Sequence, residues 1–188
     1  RRTVLFAADH GVVQAGVTAW PSDVTGLMIA NIVGGGAASS VFARTTGTEL
    51  RLVDVGSLSE TLPLSPSYRA AKVGESTANL AEGPAMTVDQ FEAAIAEGRL
   101  EADRAAADGM RVVATGEMGI GNTTPAACLA CLLTGATAEE IVGRGAGADD
   151  DTLARKTAVV SQAVARAQAL AKTDDKAAWA SVAGFEIV

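Results

Sequence analysis

Histidine occurs once in this 188-residue sequence, at His10, cysteine occurs twice, and aromatic residues make up only 4%. A Ser-His-Asp or Cys-His catalytic set would have to use His10, and no Gly-x-Ser-x-Gly elbow accompanies it. Cys128 and Cys131 form a lone CxxC inside an apolar Ala/Leu stretch. With no second pair or nearby histidine to complete a metal site, core packing is the expected role of both thiols. Positive charge is also scarce: 15 basic residues against 22 acidic ones give a net charge of -7. That balance excludes a general nucleic-acid binder, which needs a Lys/Arg surplus to neutralise a phosphate backbone, but it leaves room for one small anionic ligand. No apolar run approaches the roughly 20 residues that cross a bilayer, and no basic segment followed by an apolar one opens the chain. A cytoplasmic location is expected.

What is present is alanine, glycine and short apolar runs. Hydrophobic residues reach 48% and charged residues 20%, the balance of a globular protein whose helices pack closely on a sheet. The length suits one core, so residues 1–188 are expected to form a single α/β unit. Thr3–Ala8, Leu50–Val55 and Arg111–Thr115 read as buried strands. After Pro21, Ser22 opens a helix through Val24, Leu27, Met28 and Ile32; it breaks at Gly34–Gly36 and resumes to Gly47. Residues 57–86 contain prolines and little periodicity, and read as an ordered loop. Thr87 with Gln90 is a capping-box signature for a helix ending near Gly109, and Thr137 with Glu140 is another. A long Ala/Val helix is expected from about Leu153 to Lys172. Strands alternating with helices predict an α/β fold: a Rossmann-like parallel sheet with helices on both faces.

The three strands run into Asp9-His10-Gly11, Asp54-Val55-Gly56 and Gly116-Glu117-Met118-Gly119, each with an acidic residue and a glycine. Ligands of open parallel sheets bind beyond the carboxyl ends of the strands. Gly116–Thr124 is the most informative segment, because its glycines let backbone approach a ligand while Asn122, Thr123 and Thr124 offer donors at a helix start, a setting that suits phosphate. The spacing of Gly116 and Gly121 imitates a P-loop, but Asn122 stands where that motif needs lysine, which rules out the ATPase reading. Gly143–Gly147 forms a second glycine-rich loop before a helix. Lys156, about one turn into that helix, is either a solvated charge or a phosphate contact. His10 is either a loop organiser or a site residue.

Three blocks resemble one family: Asp9-His10-Gly11-Val12 with Gly16-Val17 and Trp20–Thr25; Gly116–Thr124; and Gly143–Gly147 with Asp149-Asp150 and Leu153–Lys156. Ala78–Met86 fits as well. The family is that of the nicotinate-nucleotide:dimethylbenzimidazole phosphoribosyltransferases of cobalamin synthesis, and the GEMGIGNTT string carries most of the specificity. The resemblance implies displacement of nicotinate from nicotinate mononucleotide by a ring nitrogen of 5,6-dimethylbenzimidazole, with inversion at the anomeric carbon. It implies no cofactor and no metal, and suggests a homodimer. It places Glu117 beside the substrates, gives the phosphate to the backbone of Gly119, Gly121, Asn122, Thr123 and Thr124 together with Lys156, and lines the benzimidazole pocket with the stretch from Trp20 to Met28. Asp9, His10, Glu82 and Gly145 complete the expected substrate-binding set. The family pattern extends beyond both ends of this sequence, and its general base is expected past Val188, so weak nucleotide binding and poor turnover are expected of these residues alone. Glu117 is then the best remaining carboxylate. The alternative is a non-catalytic nucleotide-binding module or an inactive fragment of that enzyme.

Overall fold

The computed structural model describes residues 1–188. Four strands, β1 (Arg2–Ala8), β2 (Glu49–Gly56), β3 (Tyr68–Ala70) and β4 (Val113–Met118), form one sheet in the order β3-β2-β1-β4. Every pairing is parallel. Around the sheet lie α1 (Asp23–Val33), α2 (Ala38–Thr46), α3 (Val88–Ala107), α4 (Thr123–Thr134), α5 (Ala138–Ile141), α6 (Asp150–Ala171) and α7 (Asp175–Ala180). The expected α/β class, with its parallel sheet and helices on both faces, is the one observed.

Side-chain alternation along β1 explains the two faces. Val4, Phe6 and Ala8 join Val53 and Val55 of β2 on one face, where they pack with Phe91 and Ala94 of α3, Ala180 of α7 and Phe185. Leu5 and Ala7 point the other way, with Leu52, toward Ile29 and Ile32 of α1. A third cluster lies among the helices, where Cys128 and Cys131 of α4 pack with Val159, Val160, Ala163 and Ala167 of α6 and Ala178 of α7. Both cysteines are free and buried, as their apolar setting predicts. Burial pushes the Cys128 thiol up to about 12, which keeps it protonated and unreactive.

Three local expectations need correction. The third strand begins at Val113 rather than Arg111 and runs through Gly116 and Glu117 to Met118, because its ladder with β1 pairs Phe6 with Glu117 and Ala7 with Met118. Residues 57–86 are not all loop, since β3 lies among them and Thr77 bridges to His10. Finally, α6 starts at Asp150, where Asp149 caps it by accepting the Thr152 amide at 2.8 Å, so Lys156 sits in its second turn. Residues 23–46 are the most apolar helical stretch, yet they are two helices of 11 and 9 residues divided at Gly34–Ala37. Each is shorter than the roughly 20 residues of a membrane span.

The order of the strands positions the site. The chain builds outward from β1 to β2 and β3, then returns across the sheet through α3 to place β4 on the opposite side of β1. The segments that follow β1 and β4 are therefore neighbours at the carboxyl end of the sheet, the end at which open α/β sheets bind ligands.

Candidate functional site

Two segments meet at this end of the sheet. Asp9 and His10 follow β1, and both are buried. The Gly119–Asn122 turn follows β4 and leads into α4. Gly119 lies so close to the end of β1 that an added Cβ would sit 2.3 Å from the Ala8 carbonyl oxygen, so only glycine allows the approach. The Ile120 amide donates to Thr25 Oγ1 at 3.1 Å, which ties the turn to α1. Asn122 stands at the N-cap of α4 without capping it; its side chain donates instead to the Glu117 carboxylate. The backbone N–H groups of Gly121 and Thr123 find no acceptor within the protein. Free donors at the start of a helix carry the positive end of its dipole and form a seat for an anion.

Lys156 completes that seat. The residue is only 2% exposed, and its Nζ donates to Thr123 Oγ1 at 2.7 Å and to the Gly143 carbonyl at 3.1 Å. No carboxylate pairs with it, and burial pushes its pKa below the ordinary lysine value. A buried ammonium with only neutral partners is costly. The second glycine loop closes over the same place. Gly145 has a φ of +55°, and a Cβ there would lie 3.1 Å from Thr123 Oγ1. Thr123, Ala126, Ala127, Ile141, Gly143 and Gly145 line a cavity of about 310 Å³. Thr124 is buried with its hydroxyl oxygen unpartnered.

Glu117 is exposed near the end of β4, where its carboxylate accepts from Asn122. Desolvation there and the nearby Glu186 charge raise its pKa, while His10 pulls it down, and the net direction is up. His10 is fully enclosed, with Nε2 2.6 Å from Glu186 Oε1. Burial opposes its charging, but Glu186, Asp9 and Glu117 together outweigh that and leave its pKa raised. Asp9 is also raised, chiefly by burial; its Oδ2 accepts the Leu58 amide at 2.8 Å and its Oδ1 has no partner. A cavity of about 250 Å³ opens beside Asp9, lined by Ser22, Asp23, Gly26, Leu27, Leu58 and Ser59.

The other expected residues are placed less uniformly. Trp20, half exposed, donates from Nε1 to the Ala146 carbonyl at 2.9 Å and so clasps the second glycine loop. Met28 packs against the sheet-side core, while its neighbour Leu27 faces the cavity beside Asp9. Glu82 is exposed and accepts from Asn79 Nδ2 at 3.0 Å within its own turn. Asp54 is buried and structural: it accepts from the Gly56 and Ser57 amides and from the Ser57 hydroxyl, closing the turn after β2. Glu186 was not expected. Its only sequence signal is an acid inside the apolar run Gly184–Val188, which singles out no role. No group of three or more His, Cys, Asp or Glu side chains is arranged to hold a metal ion.

A parallel sheet with unpaired helix-start amides and a buried lysine beyond the carboxyl ends of its strands places the chain among the α/β proteins. Sequence comparison is more specific: the phosphoribosyltransferase family matches residues 1–188, and the chain belongs to it. The nicotinate-nucleotide–dimethylbenzimidazole phosphoribosyltransferase of Pseudomonas putida is 47% identical over 183 residues, 97% of this chain and 52% of that one. The protein of the same name from Solidesulfovibrio magneticus is 43% identical over 187 residues, 99% of this chain and 53% of that one. The crystal structure of CobT from Thermus thermophilus superposes with a TM-score of 0.88 at 45% identity, covering 98% of this chain and 55% of that one. The chain thus spans about half the length of the relatives it matches.

Proposed function

We propose that this protein transfers the 5-phosphoribosyl group of nicotinate mononucleotide to 5,6-dimethylbenzimidazole, giving alpha-ribazole 5′-phosphate and nicotinate. The observation that carries the reading is the buried Lys156 ammonium, unpaired with any carboxylate and bonded to Thr123 at the N-terminus of α4. The nucleotide phosphate supplies the missing negative charge, held by Lys156 and by the amides of Gly121 and Thr123. Gly119, Asn122, Thr124 and Gly145 shape the seat around it. At the anomeric carbon the bond to the pyridinium nitrogen of nicotinate breaks as the bond to a benzimidazole ring nitrogen forms. The leaving pyridinium takes the bonding pair and needs no proton, so the acid–base demand falls on the incoming ring, whose N–H proton must be removed. Glu117 is the carboxylate proposed to accept it, its pKa being raised by desolvation and by Glu186. The cavity beside Asp9 and Leu27 is assigned to the benzimidazole, with Trp20 holding the glycine loop and His10 buried beside the Gly119 turn.

The names of the relatives support both substrates. We further assign the protein to the cytoplasm and to a homodimer, for which exposed Val41, Phe42 and Leu64 supply apolar surface. The test is to incubate the protein with nicotinate mononucleotide and dimethylbenzimidazole and follow alpha-ribazole phosphate by chromatography. Product that depends on both substrates supports the assignment. Failure to bind nicotinate mononucleotide by calorimetry overturns it.

A further inference from the structure

We propose that Glu186 is the positioning residue for His10, and that the buried His10–Glu186 pair fixes the Gly119–Asn122 turn in place. The turn's service as a phosphate seat rests on the function proposed above; the pairing and its hold on the turn do not. The side chains of His10 and Glu186 are 1% and 0% exposed, and they come from residues 176 positions apart. Two glycines press on the imidazole from different segments. A Cβ on Gly119 would lie 3.0 Å from Nε2, and one on Gly184 would lie 2.6 Å from Cε1 and 2.8 Å from Glu186 Oε2. Gly121 packs beside the same residue, 3.6 Å from His10 Cβ by the same measure. The ring is therefore the surface on which the turn after β4 rests, and Glu186 sets its rotation by accepting from Nε2.

Stability alone is a poor explanation for this pair. Two ionisable groups taken out of water cost more than an apolar pair of the same size, and what they provide in return is a defined geometry. Neither group is saturated, since His10 Nδ1 and Glu186 Oε2 have no partners. The other charges facing the ring are Asp9 from the end of β1 and Glu117 from β4, so its charged neighbours are all acidic.

Because His10 is the sole histidine, its ring gives one unambiguous NMR signal. In the protein labelled with 13C-histidine, the titration midpoint is expected above the ordinary histidine value of about 6.5. Glu186→Gln keeps the shape and the acceptor but removes the charge, so the midpoint is expected to fall by about one unit or more while burial continues to oppose protonation. In Glu186→Ala the Gly119 and Gly121 amide signals are expected to shift or broaden, and in Glu186→Gln to stay near their native positions. A native midpoint at or below 6.5, or one unmoved in Glu186→Gln, overturns the pairing. Unchanged Gly119 and Gly121 signals in Glu186→Ala overturn the hold on the turn. Should the alanine variant fail to fold, Glu186→Asp, which shortens the side chain and breaks the 2.6 Å contact while keeping the charge, is read in the same way. Neither readout uses a ligand, so absent phosphate binding would overturn the proposed function while these signals still decide the inference.

Discussion

Lys156 shows how burial changes the meaning of a residue. Along the sequence it is one lysine among several, but enclosed beneath the second glycine loop it is a buried amine with only neutral partners. Lys156→Met removes the charge and keeps most of the volume. It is expected to raise the melting temperature of the ligand-free protein, because an uncompensated buried charge is costly, and to weaken nucleotide binding by about 1–3 kcal/mol. Thermal melts with and without nicotinate mononucleotide check both halves. Glu117→Gln, which keeps shape but accepts no proton, is expected to lower turnover by about 10²–10⁴ with little change in nucleotide affinity. The raised pKa of Glu117 also sets the acid limb of the rate. The working form is the carboxylate, so activity is lost as pH falls through a value above the ordinary Glu range of about 4.3, and a pH–rate profile locates that limb.

Among the elements, α3 is held by charge as well as by its apolar face. Glu101, 2% exposed, receives Arg69 at 2.9 Å, Arg104 at 2.8 Å and Arg51 at 3.3 Å, joining α3 to β2 and β3. Burial alone would raise the Glu101 pKa, but the three guanidinium groups overcome it and the net direction is down. A depressed carboxylate contributes stability above its unfolded pKa and loses it as pH falls through the folded value. Glu101→Gln is thus expected to cost about 3 kcal/mol at pH 7, with the difference from the native protein shrinking below about pH 4. Urea unfolding at the two pH values measures it. The helix start at Thr87 is simpler: its hydroxyl accepts the Gln90 amide and the Gln90 side chain accepts the Thr87 amide, so Thr87→Ala is expected to cost about 1 kcal/mol in the same assay.

For the whole molecule, the proposed anion seat would couple ligand to stability, since its groups come together only when α4, α6 and the second glycine loop are assembled. Nicotinate mononucleotide at about 100 times its Kd is expected to add roughly 2.7 kcal/mol and raise the melting temperature by about 5–10 °C. What was legible beforehand was short in range. The apolar run Thr3–Ala8, the capping boxes at Thr87 and Thr137 and the glycine-rich turn before Thr123 each express energies set within a few residues, and together they determined the element order and the parallel α/β class. Tyr68–Ala70 escaped because three residues hold no period; that strand forms because its ladder with Leu52–Asp54 pulls it in. The site needed more than periodicity. That Lys156 is buried against Thr123, that Trp20 reaches Ala146, and that Glu186 lies on His10 are all set by tertiary packing. Such contacts join segments 33, 126 and 176 residues apart. No local propensity encodes that separation; it is decided by which faces remain to be covered once the sheet has closed its hydrogen bonds.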